Sequence, residues 1–232
     1  DYPNYRHHRA RVAKLVDKYT QWGDYILSGC DWVDYMFYWD QLLLGHFAIE
    51  TDPNHVKASR ADQTNLNFTR DHPLKLVHAP NHRALKGTKQ ILKAVEELTA
   101  EGYFIELKVL ENVPNTEVIK AIDRCDVVVD QLVIGWYAVF SLEGMSRAKP
   151  VICYLREDLI DLYESVELIQ NGELPHINSS IKNIKSSLKT ILKGNRSELF
   201  QIGDKSLAFA KKHHSFEYIG SVFDKICQKL DI

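Results

Sequence analysis

Residues 79–87, APNHRALKG, place two cations and a glycine directly after the apolar run LKLVH at 74–78. An arginine grips phosphate through two parallel N–H bonds, and a lysine adds a compact point charge. If Arg83, Lys86 and Gly87 enter a helix, its free amides and dipole add to the attraction for an anion. A solvated basic turn is the plain alternative. The spacing matches neither the GxxxxGK[ST] loop nor GxGxxG. A second such place follows DVVVD at 126–130, in QLVIGWYAVFSLEGM at 131–145. Gly135 lets backbone approach a ligand closely. The amides of residues 137–140 open an expected helix and form another phosphate cradle. Glu143 stands in an otherwise apolar stretch, where a carboxylate is costly unless paired or bound to hydroxyls. Its ordinary alternative is an i,i+4 bridge to Arg147.

Metal and thiol chemistry find less support. Asp24, Asp31, Asp34 and Asp40 are spread through aromatic sequence and form no DxD-like cluster for Mg²⁺ or Mn²⁺, so no metal and no cofactor is expected. The four cysteines, at 30, 125, 153 and 227, make no CxxC pair. Cys125 and Cys153 lie in apolar contexts and read as buried, reduced thiols of a cytosolic protein. The ten histidines include the adjacent pairs His7-His8 and His213-His214, and neighbours do not share a helix face. His78 and His82 flank the basic loop and read as structural. Asn67, Asn178 and Asn195 begin chance glycosylation patterns, with no signal segment read at the start.

The elements that must hold these residues follow from periodicity. Strands are expected at 74–78, 105–110, 126–130 and 151–155, with a weaker one at 174–177. Helices are expected at 88–100, 116–124, 138–147, 179–192, 197–212 and 215–230, with Asn115 or Thr116 capping the second. DVVVD is β-branched throughout its interior, as for a parallel strand buried on both faces. Alternation of strand and helix predicts an α/β fold with a Rossmann-like, doubly wound parallel sheet. Ligands of such sheets sit outside the carboxyl ends of the strands. Before it, residues 6–20 suggest a basic helix, 25–28 a short strand ended by Gly29, and 31–44 a helix capped by Asp31. That segment is aromatic: Trp22, Tyr25, Trp32, Tyr35, Phe37, Tyr38 and Trp39 fall close together. Packing against another domain explains this, as does a partner or membrane surface. Residues 53–73 are polar and read as a linker between a part at 1–52 and a domain at 74–232.

At 232 residues, 45% apolar and 26% charged, the chain is globular in composition. A net charge of −2 excludes a generally basic nucleic-acid-coating protein, and no nucleic-acid partner is expected. No apolar run is long enough to span a bilayer.

Taken together, LVHAPNHRALKGT, VVVDQLVIGWYAVFSLEGMSRAKPVICYL and HHSFEYIG resemble the C-terminal half of a GT-B glycosyltransferase, family 4-like. The match covers residues 74–232, with a weaker one over 1–52 to the end of the N-terminal domain. That family has a basic loop ending in Lys-Gly, a glutamate, an aromatic and glycine turn, a helix with a second glutamate, and GKPVI. The resemblance implies that Lys86, with Arg83 and Gly87, neutralises a donor diphosphate, and that amides of Tyr137, Ala138, Val139 and Phe140 cradle its distal phosphate. Glu143 would hold the ribose hydroxyls. Gly135 and Trp136 would lie against the donor sugar, with contacts from Asp130 and Gln131, unless Asp130 only caps its strand. Leu110, Val113 and Pro114 would line the nucleobase pocket. Two positions depart from the pattern: Gly135 replaces the first glutamate, and Asn81 stands where an arginine is usual.

The implied reaction is a metal-free, retaining hexosyl transfer from a nucleoside-diphosphate sugar to a glycan or lipid-linked glycan, as in polysaccharide biosynthesis. A sugar-nucleotide epimerase and a non-catalytic sugar-nucleotide-binding subunit are the alternatives. A whole GT-B enzyme has two Rossmann-like domains, about 350–400 residues. The chain therefore reads as a piece: the donor-binding domain plus the tail of another, with little or no transfer activity alone. Segment 22–39 would be the seam where the other half packs, a site for homodimer formation or peripheral membrane contact. A cytoplasmic location, free or membrane-associated, is the corresponding expectation.

Overall fold

A computed structural model gives the fold, and residues 5–36, 38–51 and 66–232 are those it describes. Phe37 and positions 53–65 of the expected linker lie outside them. The chain opens with α1 (Tyr5–Trp22), β1 (Leu27–Gly29), a 3-10 turn (Cys30–Tyr35) and β2 (Gln41–Leu43). There follow β3 (Leu74–His78), α2 (Arg83–Lys86), α3 (Thr88–Ala100), β4 (Ile105–Val109), α4 (Asn115–Arg124), β5 (Val127–Val129) and α5 (Val139–Met145). The last part is β6 (Val151–Cys153), α6 (Glu157–Ser165), β7 (Ile177–Asn178), α7 (Ile184–Lys193), α8 (Arg196–His214) and α9 (Phe216–Leu230).

The main sheet has five parallel strands in the order β4-β3-β5-β6-β7. Every residue of Val127–Val129 and Val151–Cys153 is buried, as a strand covered on both faces requires. One face packs Leu74, Leu76, Val127 and Ile152 against Ile91 and Leu98 of α3 and Leu188 and Leu192 of α7. The other packs Val77, Val128 and Val151 against Ile122 of α4, Leu142 and Met145 of α5, and Tyr163 of α6. Burying one such aliphatic side chain contributes roughly 1.5–3 kcal/mol, so the two faces fix the layer order.

The N-terminal segment differs from expectation. Among the described residues the helix expected over 31–44 does not form; Cys30–Tyr35 make the 3-10 turn and Gln41–Leu43 make β2, which pairs in parallel with β1. Gly29 is the last residue of β1, the strand it was expected to end. A Cβ at Gly29 would stand 2.3 Å from the Leu43 carbonyl oxygen, so close pairing of β1 and β2 needs glycine there. α6 was not expected from the sequence at all, and the strand expected at 174–177 is β7 at Ile177–Asn178.

This segment is tied to the main domain. Trp136 Nε1 donates to the Leu44 carbonyl at 2.9 Å, and Tyr163 Oη donates to the Cys30 carbonyl at 2.7 Å. His214 Nδ1 lies 3.1 Å from the Phe47 carbonyl and its Nε2 2.8 Å from Tyr137 Oη. A carbonyl only accepts, so Nδ1 carries the proton and the Tyr137 hydroxyl donates to Nε2. Val222 and Ile226 of α9 pack on Leu43 of β2. The aromatic residues divide: Trp39 packs against the core, whereas Tyr19, Trp22, Trp32 and Tyr38 are exposed.

Candidate functional site

All five strands of the main sheet run parallel, so their carboxyl ends form one crest. Loops 79–87, 110–114, 130–138, 154–156 and 179–183 emerge there, and four polar links cross it.

The first joins α2, β5 and α5. Lys86 ends α2, where Gly87 adopts the left-handed conformation at φ 74° and closes the helix. Lys86 is buried, with Nζ 2.5 Å from Oδ1 of Asp130, itself buried at the end of β5. The other oxygen, Oδ2, accepts from Ser141 Oγ at 2.7 Å and from the Ala138 amide at 3.2 Å. Burial alone would raise the Asp130 carboxyl; the Lys86 charge and these hydrogen bonds hold it below its ordinary value instead.

The second joins α4 and α5. Glu143, one turn into α5, is buried, and its Oε1 accepts from Asn115 Nδ2 at 2.7 Å. Among the described residues that is the only hydrogen bond to its carboxylate. Desolvation raises its pKa, with Asn115 and the nearby Arg147 charge opposing. The alternative reading, a bridge to Arg147, does not form, because the guanidinium turns to Asp123 at 2.8 Å.

In the third, the exposed Arg83 pairs bidentately with Glu111, whose Oε1 lies 2.9 Å from Nε. This links the basic loop to the turn after β4. In that turn Leu110 donates its amide to the His78 carbonyl, Asn112 has φ 55°, Val113 is exposed and Pro114 precedes α4.

The fourth crosses Gly135. Its φ is 103°, and a Cβ there would stand 2.4 Å from Arg156 Cδ and 2.5 Å from Cγ. The Arg156 stem thus fills the space of a side chain at 135. Its guanidinium reaches Asp34 of the 3-10 turn at 2.5 Å and Asp158 at 2.5 Å. Beside it, between the ends of β6 and β7, a cavity of about 680 Å³ is lined by Arg156, Asp158, Asn178, Ser180 and Asn183 among others.

The remaining expected site residues serve the loop itself. Gln131 is buried; its amide donates to the Trp136 carbonyl at 2.5 Å and the Tyr154 carbonyl at 3.1 Å. Its oxygen accepts from the Val133 and Ile134 amides at 2.9 and 2.7 Å. With all four bonding positions filled, Gln131 braces the turn and has nothing left for a sugar. Trp136 and Tyr137 are core residues, whereas Val139 and Phe140 present their amides at the start of α5. His78 is structural: it bonds the Val129 carbonyl and Thr88, and burial lowers its pKa. Glu111, Ser141 and Arg156 were not singled out in the sequence, and Asn115 was expected only as a helix cap, a place Pro114 takes; Glu111, Asn115 and Arg156 stand within two residues of a crest loop, the signal that could have found them.

No family model matches the chain, and no curated protein matches its sequence. Its fold is similar to those of solved GT-B glycosyltransferases. Anabaena Alr3699/HepE, solved in complex with UDP-glucose, superposes with a TM-score of 0.59 at 12% identity over 96% of this chain and 68% of that one. TarM gives 0.52 at 11% over 91% and 45%. Sucrose-phosphate synthase from Thermosynechococcus elongatus gives 0.51 at 12% over 82% and 52%. The chain thus spans between 45% and 68% of the length of these three proteins. At these identities the likeness is one of fold: a Rossmann-like α/β domain of the kind found in GT-B enzymes.

Proposed function

We propose that the crest binds a nucleoside-diphosphate sugar and that the chain is the donor-binding part of a glycosyltransferase. One observation carries this reading. Lys86 and Glu143 are buried at the same sheet edge, each with a single side-chain partner and unused bonding capacity. A buried ammonium short of acceptors suits a phosphate, and a buried carboxylate short of donors suits a ribose diol.

The nucleotide leaves as an anion during transfer, and fixed donors stabilise that charge without reorganising. Lys86 supplies it directly, with the Val139 and Phe140 amides beside it. Arg83 joins once it leaves Glu111, an exposed pair that costs little to open. The turn at Leu110, Val113 and Pro114 takes the base. A sugar against Gly135 meets the polar cavity beside Arg156, whose volume is in the usual range for ligand sites. Retention at the anomeric carbon, a family 4-like assignment, a glycan or lipid-linked acceptor and metal independence belong to this same reading. The exposed Tyr19, Trp22, Trp32 and Tyr38 support contact with a second copy or a membrane.

A second reading has its own support. No carboxylate stands at position 135, where Arg156 fills the space, which favours a sugar-nucleotide-binding subunit without transfer. Calorimetric titration with UDP, GDP and their sugars tests the common core. Binding that Lys86→Ala and Glu143→Ala each weaken is the expected result; binding that neither weakens removes the site. Release of nucleoside diphosphate in the presence of candidate acceptors separates transferase from binding subunit.

A further inference from the structure

Two ion pairs are buried in the main domain, and they differ in kind. Arg196 and Asp126 lie at the amino ends of the strands. Arg196 Nε meets Asp126 Oδ1 at 3.0 Å, Nη1 donates to the Asn67 carbonyl at 2.9 Å, and Nη2 donates to the His72 and Pro73 carbonyls at 3.1 and 2.6 Å. That guanidinium is saturated and clamps the base of the sheet. Lys86 and Asp130 lie at the opposite, carboxyl ends. There both carboxylate oxygens are engaged, Oδ1 by Lys86 and Oδ2 by Ser141 and Ala138, whereas the cation keeps most of its donors unused. Among the described residues Lys86 has one acceptor, Asp130, for its three N–H bonds.

A buried ion pair is a poor way to stabilise a fold, since apolar residues of similar volume often serve as well. A pair with two spare donors at the ligand-binding edge is better suited to holding a cation in place. Lysine has a flexible four-carbon stem, and ordering it costs rotamer freedom. Asp130 meets that cost before a ligand arrives. Two of its three partners are on α5 or its cap and hold the carboxylate still, and the carboxylate holds Nζ.

We propose that Asp130 is a positioning residue that acts through Lys86: it fixes the ammonium so that its remaining N–H bonds face a diphosphate. This rests on the nucleotide-site reading above and deepens it. It replaces the expectation that Asp130 touches the donor sugar, because both carboxylate oxygens are already engaged.

The test uses inorganic pyrophosphate and UDP as probes, with wild type, Asp130→Asn, Lys86→Ala and the double variant. Loss of a hydrogen bond to a charged group predicts pyrophosphate and UDP binding about tenfold or more weaker in Asp130→Asn. In the Lys86→Ala background the same change should add no further loss, because the effect runs through the lysine. A loss of equal size in both backgrounds means a structural role and overturns the proposal. So does unchanged or tighter binding in Asp130→Asn, which would make Asp130 a competing anion. A wild type that binds neither probe overturns the nucleotide-site reading and this inference together, whereas binding insensitive to Asp130 overturns this inference alone. A direct readout needs no ligand: the ¹⁵N ammonium resonance of Lys86, seen when its exchange is slowed by burial and bonding, should vanish in Asp130→Asn and persist in Ser141→Ala. If Asp130→Asn does not fold, Ser141→Ala is the second variant. It removes one restraint on the carboxylate, and pyrophosphate binding should weaken about threefold or more with folding intact; no change would overturn the proposal.

Discussion

Gly135→Ala probes the point at which this chain departs from the glycosyltransferase pattern it resembles. Two costs follow from the geometry. The backbone at 135 has φ 103°, outside the range an L side chain prefers, and imposing a Cβ there costs about 1–2 kcal/mol. The new Cβ would also stand 2.4 Å from Cδ and 2.5 Å from Cγ of Arg156, in the stem rather than the tip of that side chain. The stem must rotate, which breaks the guanidinium contacts to Asp34 and Asp158. These pairs are partly exposed and worth roughly 0–1 kcal/mol each. The sum, about 2–3 kcal/mol, should lower Tm by roughly 5–10 °C for a chain of this size. Scanning calorimetry of Gly135→Ala, Arg156→Ala and the double variant separates the terms. In the Arg156→Ala background, Gly135→Ala should cost only the dihedral part, about half. A single variant within a degree of wild type, or equal costs in both backgrounds, would refute the reasoning. The outcome also explains why a glutamate is absent from position 135: the turn leaves no room for a side chain while Arg156 bridges to the N-terminal segment.

Further predictions concern stability. Burial pushes His176 down to about 3 and His214 to about 4 from the ordinary 6.5. Both ring nitrogens of His176 are shut off from solvent and find no hydrogen-bond partner among the described residues, and its ring stacks on Tyr137 at 4.8 Å. Below the ordinary value the unfolded chain takes up protons that the folded chain refuses, so stability should fall from about pH 6.5 down to about pH 4 for His214 and about pH 3 for His176. His176→Phe should reduce that loss in urea melts at pH 7 and pH 4.5; an unaltered pH difference would count against a neutral, buried His176. Arg196→Ala strands Asp126 and three carbonyls, and should cost about 3–5 kcal/mol in urea unfolding. Asn195 caps α8 by accepting from the Ser197 amide at 2.9 Å, so Asn195→Ala should cost about 1 kcal/mol.

Much of the main domain was legible because its signals are local. The β-branched interiors of β5 and β6, and the helical spacing of Ile91, Leu92, Val95 and Leu98 in α3, each need only a short window, although Leu92 proves exposed and Ala94 buried. The N-terminal segment was not, because its apolar aromatic run has no clear period. What decides between helix and strand there is a distant contact, the close approach of Gly29 to Leu43. α6 carried a usable signal that was overlooked: Glu157 and Asp158 in the first turn, with Leu159 and Tyr163 on one buried face. At the site, the sequence marked Lys86, Asp130, Gly135 and Glu143 but not which groups each would meet. Lys86 meets Asp130 across 44 positions, Arg83 meets Glu111 across 28 and Arg156 meets Asp34 across 122, and nothing in a linear pattern says which charges will meet. Gln131 shows the converse: a polar residue in the right loop whose every hydrogen bond is consumed by that loop.

A crystal structure of the chain with a nucleoside-diphosphate sugar tests the central claim most directly. The account predicts the diphosphate within hydrogen-bond reach of Lys86 Nζ, the ribose hydroxyls on Glu143, and Asp130 still bound to Lys86 and Ser141. A nucleotide seated away from Lys86 and Glu143, or no nucleotide at the crest at saturating concentration, would contradict it.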